Sequence, residues 1–264
     1  MISATKIRLH LAAIVLSLTI AWPAVSNATI VEFDTNFGTF QVNLYDLDTP
    51  ATVANFLAYV QDGDYSDSVI HRSIAGFIIQ GGAVTTDADA NLTEIAQRAP
   101  VQNEPDFANV RGTIAMAKLP SDPDSATSQW FFNLSDNSAN LDSQNGGFTV
   151  FGEVIDNGMT VVDAITAVPT FNGVAGLNDF PLQNYTAPNA VERDNFVIIN
   201  SITVIDTTVD SAAGLNPTPT TRGNNNGGGT NLNGGGGGGG ALGFVGLFGL
   251  LVLGWRRNRI LQAA

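Results

Sequence analysis

Few residues in this 264-residue chain are able to do chemistry. Cysteine is absent, which removes thiol nucleophiles, disulfides and thiolate metal sites. Of the two histidines, His10 lies in an N-terminal apolar run, so His71 is the one candidate, and Arg72 follows it directly. Phe77-Ile78-Ile79-Gln80-Gly81-Gly82 comes close behind, bringing an aromatic ring, an amide and a glycine pair. A second cluster begins at Gly112-Thr113-Ile114-Ala115-Met116-Ala117-Lys118 and continues, after a polar loop, as Ser128-Gln129-Trp130-Phe131-Phe132-Asn133. These groups offer charge and hydrogen bonding beside apolar surface. A metal centre would need a site built almost wholly from carboxylates, and no G-x-S-x-G elbow supplies a hydrolase nucleophile. A His-Arg pair by itself is more often structural than catalytic, so the elements around it decide its meaning.

Residues 30–34 and 39–45 alternate apolar and polar side chains around Asn36-Phe37-Gly38, the pattern of a β-hairpin. Thr49 offers an N-cap hydroxyl and Pro50 takes the first helical position. Val53, Phe56, Leu57 and Val60 then recur at helical spacing until Gly63, which predicts a helix over residues 50–62. Short β-like runs follow at residues 69–74, 77–80, 112–117, 129–134, 148–154 and 196–205, and a second short helix is expected over 160–167. Alternation along 129–134 sends Trp130 and Phe132 to one face and Gln129, Phe131 and Asn133 to the other. Many short strands with two helices predict a mainly β protein, an antiparallel barrel or sandwich capped by helices. No internal repeat is apparent.

Both ends of the chain read as addresses. Residues 1–28 carry Lys6 and Arg8, an apolar run from Leu9 to Trp22, and small residues up to Ala28, which together make a secretory signal peptide. Residues 209–240 form a low-complexity linker rich in Gly, Asn, Thr and Pro; residues 241–255 form a short apolar membrane segment; residues 256–264 carry Arg256, Arg257 and Arg259. Fifteen residues reach only about 22 Å as a helix, so the span is marginal. The arginines favour a cytoplasmic end and place the body of the chain on the far side, in agreement with the signal peptide. This tail resembles the bacterial GlyGly-CTERM sorting signal, which implies removal by a rhomboid-type intramembrane protease; a plain C-terminal anchor is the alternative. The expected location is exported: periplasmic side of the inner membrane, or cell surface and medium after tail processing. The expected partners are the export machinery, signal peptidase and, through the tail, the membrane.

Between the ends, residues 29–208 hold five Lys or Arg and 23 Asp or Glu, a net charge of −18. Such a field repels nucleic acid, and solubility in a salty external medium accounts for it.

Read in order, six blocks carry a resemblance. They are His71-Arg72-Ser73-Ile74-Ala75-Gly76-Phe77-Ile78-Ile79-Gln80-Gly81-Gly82, Asn103-Glu104, Arg111 to Ala117, Asp124-Ser125-Ala126-Thr127-Ser128-Gln129-Trp130-Phe131-Phe132-Asn133, Leu141-Asp142, and Phe148-Thr149-Val150-Phe151-Gly152-Glu153-Val154. The chain is similar to the cyclophilins over residues 30–204, and most similar to their bacterial periplasmic branch. The resemblance implies an eight-stranded antiparallel β-barrel capped by two α-helices. It also implies peptidyl-prolyl cis-trans isomerase activity on proline-containing polypeptide clients, with no metal, nucleotide or redox cofactor.

An X-Pro bond crosses a barrier of about 18–20 kcal/mol because rotation breaks amide resonance. In the twisted state the prolyl nitrogen regains a lone pair, and a guanidinium beside it binds that state better than either planar one. By the resemblance Arg72 is this donor, Gln80 orients Arg72 and the substrate carbonyl, and His71 shapes the groove without shuttling a proton. Phe77, Ile78, Phe131 and Leu141 line the proline pocket; Ala117, Gln129, Phe148 and the backbone of Lys118 complete the substrate-binding surface. Ala75, Ile70 and Ile78 replace a usual proline, aromatic and methionine. Asn140 and Phe148 replace a tryptophan and a histidine of cyclosporin-sensitive members, which argues against strong cyclosporin binding. Residues 171–193 are longer than the family core. The competing expectation is a proline-peptide-binding chaperone module with little catalysis.

Overall fold

A computed structural model describes residues 29–207 and 215–220. The expected signal peptide, membrane segment and basic end lie outside the described residues, among which no helix is long and apolar enough to cross a membrane.

The opening alternation folds as expected: β1 (Ile30–Thr35) and β2 (Gly38–Leu44) form an antiparallel hairpin whose Thr35 and Gly38 pair across the turn. Helix α1 (Pro50–Gln61) follows, then β3 (Ser68–Val69), β4 (Arg72–Ile74), β5 (Ile78–Gly81), β6 (Val84–Thr86) and β7 (Leu92–Glu94). The second half contributes β8 (Thr113–Met116), β9 (Trp130–Asn133), the one-turn helix α2 (Ser138–Leu141), β10 (Val150–Val154), α3 (Met159–Thr166), β11 (Thr170–Phe171), β12 (Phe180–Pro181) and β13 (Ile198–Asp206).

Eleven of these strands join one antiparallel sheet in the order β4-β5-β9-β8-β10-β2-β1-β13-β3-β6-β7. β4 lies at one edge and β3 near the other, yet only Ile70 and His71 separate them in the chain. The sheet therefore curls until a single bent strand joins its two ends. β5 and β6 bend in the same way at Gly82-Ala83. Counting each bent pair as one strand and leaving aside the short β7, the sheet has the eight strands expected of the barrel. The bend splits the run at 69–74, whose two halves pair with different neighbours, β13 and β5.

Side chains divide between the two faces by the period of two. Inward go Val31, Phe33, Phe40, Ile79, Ile114, Trp130, Phe132 and Phe151, packed with Phe56 and Tyr59 of α1 and with Val162 and Ile165 of α3. Phe33 stacks on Phe40 at 4.9 Å and meets Trp130 and Phe132 edge-on at 5.3 and 5.5 Å. Such pairs add about 0.5–1.5 kcal/mol each beyond area burial. Phe131 goes outward, to a separate apolar cluster on the outer face, as the alternation predicts.

The start of α1 departs from expectation. The Thr49 hydroxyl does not cap the helix; it donates to the Tyr45 carbonyl. The first free N–H groups, of Ala51 and Thr52, donate instead to the Glu104 carboxylate, and the Thr52 hydroxyl joins them at 2.7 Å. A carboxylate supplied by a distant loop satisfies the helix end and favours its dipole, and no local sequence signal announces it.

The long stretch before β13 has its own core. Phe180, Leu182 and Phe196 pack with Val69, Val84 and Leu92, with Phe171 and Tyr185 at the margin. Within the stretch read as linker, residues 215–220 lie against the domain, and Leu215 packs on the outer-face cluster.

Candidate active site

One row of residues crosses the outer face of the sheet. Arg72 on β4 pairs with Gln80 on β5, Gln80 with Phe131 on β9, Phe131 with Ala115 on β8, and Ala115 with Val150 on β10. Residues directly opposite one another in antiparallel strands share a face. Strand register therefore places a guanidinium, an amide and an aromatic ring in line, although they come from three strands and two separate sequence blocks.

Arg72 is buried, at 7% exposure. Burial pushes its pKa down from the usual guanidinium value, and Asp179, whose Oδ2 is 3.8 Å from Nε, pulls it back up. The group stays charged, a cation held against apolar surface. His71 is buried as well; its backbone N–H donates to the Gln80 carbonyl at 3.1 Å. Burial, and then the neighbouring Arg72 charge, lowers its pKa to about 3. The ring is neutral at physiological pH. The Gln80 amide donates to Gln129 Oε1 at 2.9 Å, which brings two expected site residues into contact.

Ile78, Ala117, Phe131, Leu141 and Phe148 belong to one buried cluster with Tyr45, Ala115 and Val150, and Phe77 packs against it half-buried. Phe131 and Phe148 meet edge-on at 5.8 Å. The structure thus brings the expected pocket residues together. The Lys118 side chain, of which nothing was expected, turns inward: Nζ donates to the Asn145 and Gly147 carbonyls at 2.9 and 2.5 Å and lies 4.8 Å from the Phe148 ring centroid. A buried ammonium satisfied by carbonyls and a ring face holds the turn that carries Phe148.

Beneath the pocket runs a set of buried amides, of which Asn133 stands in a quoted block and Asn109 and Asn137 in none. Asn109 donates through its backbone and side chain to Asp142 Oδ1, and its side chain also reaches the Phe148 carbonyl. Asn133 donates to Asn109 and Thr113, and Asn137 donates to Asn133 and to the Phe77 carbonyl. These bonds fix the backbone on which Phe77, Leu141 and Phe148 stand. Asp179 is the other residue that sequence reasoning passed over, because its neighbourhood to Arg72 exists only once β12 lies beside β4. Among the described residues no group of His, Cys, Asp or Glu could hold a metal ion.

This geometry has known counterparts. The family model for cyclophilin type peptidyl-prolyl cis-trans isomerases matches residues 30–191. A peptidyl-prolyl cis-trans isomerase of Acinetobacter baylyi is 45% identical over 156 residues, covering 58% of this chain and 79% of its own. Isomerase B of Escherichia coli is 38% identical over 182 residues, covering 66% of this chain and 99% of its own. Among solved structures, a cyclophilin type isomerase of Cryptosporidium parvum superposes with a TM-score of 0.50 at 24% identity, over 69% of this chain and 99% of that one, a likeness of fold. With the matched segment holding seven of the barrel's eight strands and the residue row that crosses them, the chain belongs to the cyclophilin-type peptidyl-prolyl cis-trans isomerases.

Proposed function

We propose that this isomerase turns X-Pro bonds in exported and envelope proteins, with Arg72 as the group that stabilises the twisted amide. The observation that carries the assignment of Arg72 is its burial beside Gln80 and Phe131, in line across the outer face. A guanidinium kept charged in low dielectric is a stronger donor to a developing lone pair than one in water. The apolar cluster of Ile78, Phe131, Leu141 and Phe148 suits a pyrrolidine ring, while Gln80 and Gln129, joined to each other, suit the peptide chain on either side. Rotation makes and breaks no covalent bond, so neutral His71 needs no part in proton transfer. The exported location rests on the signal-peptide pattern of residues 1–28, and the tail pattern supports delivery at the membrane or cell surface.

The test is prolyl isomerisation by the protein, parent against Arg72→Ala and Arg72→Lys. A fall of at least about 100-fold for alanine, and a clear loss for lysine, which lacks the planar fork, is the expected result. Equal rates for parent and Arg72→Ala would sink the assignment. Mass spectrometry of the native protein reads the two processing sites; an intact start at Met1 would remove the export proposal.

A further inference from the structure

Residues 215–220 read Leu-Asn-Pro-Thr-Pro-Thr and run antiparallel to residues 106–108. The Ala108 N–H donates to the Thr218 carbonyl at 2.8 Å, the Thr220 N–H donates to the Asp106 carbonyl at 2.9 Å, and Phe107 faces Pro219 between them. In this register the central residue's own N–H position points away from the strip. Proline, which has no N–H, therefore fits there without leaving a hydrogen bond unmade, and its fixed φ favours the extended chain. Any other residue would fit the hydrogen bonding equally, but it would lose more freedom on docking.

The strip stands on apolar ground. Phe107 packs edge-on against Tyr45 at 5.2 Å, and both Phe107 and Leu215 rest on the cluster that includes Ile78, Phe131, Leu141 and Phe148. The docking strip and the proline pocket are thus parts of one apolar face. Backbone bonds at Thr218 and Thr220 and the half-buried Leu215 help to hold the segment, while Asn216, Thr218 and Pro219 are exposed. A strip this short, with half of its residues exposed, is exchangeable.

We propose that the strip at residues 106–108 is a docking site for extended X-Pro-X chain segments, held in cis by residues 215–220 and open to a client chain when that segment is displaced. A client bound there would keep a second proline-bearing stretch beside the pocket, raising its effective concentration for successive turnovers. The identity of the client class rests on the isomerase reading; the docking does not.

The experiment follows amide hydrogen exchange at Ala108 in the full chain and in the full chain lacking residues 215–220, with acetyl-Leu-Asn-Pro-Thr-Pro-Thr-amide as probe. The Ala108 amide is expected to be protected in the parent, exposed in the deletion, and protected again by the peptide. A peptide with alanine for both prolines should bind about fivefold more weakly, since it is less preorganised. If the deletion fails to fold, Leu215→Asp in the full chain vacates the strip by removing its apolar hold. Equal Ala108 exchange in parent and vacated protein overturns the proposal. So does a peptide that leaves Ala108 unprotected and competes with a short X-Pro substrate, because that outcome puts it in the catalytic groove. Restored protection at Ala108, together with full isomerase activity of Arg72→Ala, would remove the assignment of Arg72 and leave the docking site standing.

Discussion

The Asp179 carboxylate stands 3.8 Å from Nε of Arg72, and the backbone around it is built to keep it there. The Asp179 carbonyl accepts the Ser73 N–H at 2.8 Å, its own N–H donates to Asn172 Oδ1, and its φ of 55° is in the left-handed region. The hairpin of β11 and β12 is thereby locked to β4 one residue from the cation. Approaching from Nε, the carboxylate restrains the guanidinium at its inner nitrogen.

Asp179→Asn should therefore lower kcat with KM nearly unchanged. Because the carboxylate is 38% exposed and screened, the effect is small, about two- to fivefold. Asp179→Glu should recover part of the loss, and salt should weaken the parent towards the variant. Identical kcat for all three proteins would mean that the carboxylate does not position Arg72.

The state of His71 predicts a pH dependence of stability, separate from that of rate. Its folded pKa of about 3 lies below the ordinary 6.5, so between these values the unfolded chain binds a proton that the folded chain refuses. Stability from this group is fully present above pH 6.5 and falls by up to about 1.4 kcal/mol per pH unit below it, until pH 3 is reached. Urea midpoints from pH 7 to 4 should fall more steeply for the parent than for His71→Gln. The isomerisation rate should stay flat from pH 6 to 8, where neither His71 nor Arg72 changes charge. A bell-shaped rate profile centred in that window would give His71 the proton-transfer role denied to it here.

How far these features can be read from sequence depends on the range of the interaction. The hairpin of β1 and β2, the helices near residues 50 and 160, and the split of Trp130 and Phe132 from Phe131 all follow from local periodicity. The cap on α1 does not: Thr49 has the right chemistry, but its hydroxyl is taken by Tyr45 and the distant Glu104 does the work. Arg72, Gln80 and Phe131 stand out as residue types, while their alignment in one row depends on register between strands that no single motif contains. Lys118, Asp179 and the docked segment at residues 215–220 gain meaning only from neighbours brought up by the closed sheet.

The buried amides under the pocket should carry both stability and substrate affinity. Asn109→Ala removes the side-chain donor to Asp142 and to the Phe148 carbonyl and leaves Asn133 short of an acceptor. With several buried polar groups stranded, a loss of about 2–4 kcal/mol is expected by urea unfolding. In whatever fraction remains folded, KM should rise more than kcat falls, because Phe148 and α2 lose their anchor while Arg72 keeps its strand. A variant as stable as the parent would mean that water replaces the amide fully.

The bend between β5 and β6 sets the last expectation. Gly82 has a φ of +77°, and a Cβ placed on it would meet the Ser128 carbonyl at 2.4 Å and Trp130 Nε1 at 3.0 Å. The Ser128 carbonyl also accepts the buried Tyr65 hydroxyl, and Trp130 fills the barrel core, so neither yields cheaply. Gly82→Ala then combines left-handed strain with overpacking and should cost about 3 kcal/mol or more. Gly173→Ala is the control: its φ is +82°, but nothing lies within 4 Å of the added carbon, so only the backbone term of about 1 kcal/mol applies. Gly82 also follows Gln80 by two residues and Gly81 opposes Trp130, so the same substitution should disturb the amide beside Arg72 and reduce kcat. Equal losses of stability at the two glycines would show that conformation alone, and not the close approach of Ser128 and Trp130, fixes the bend.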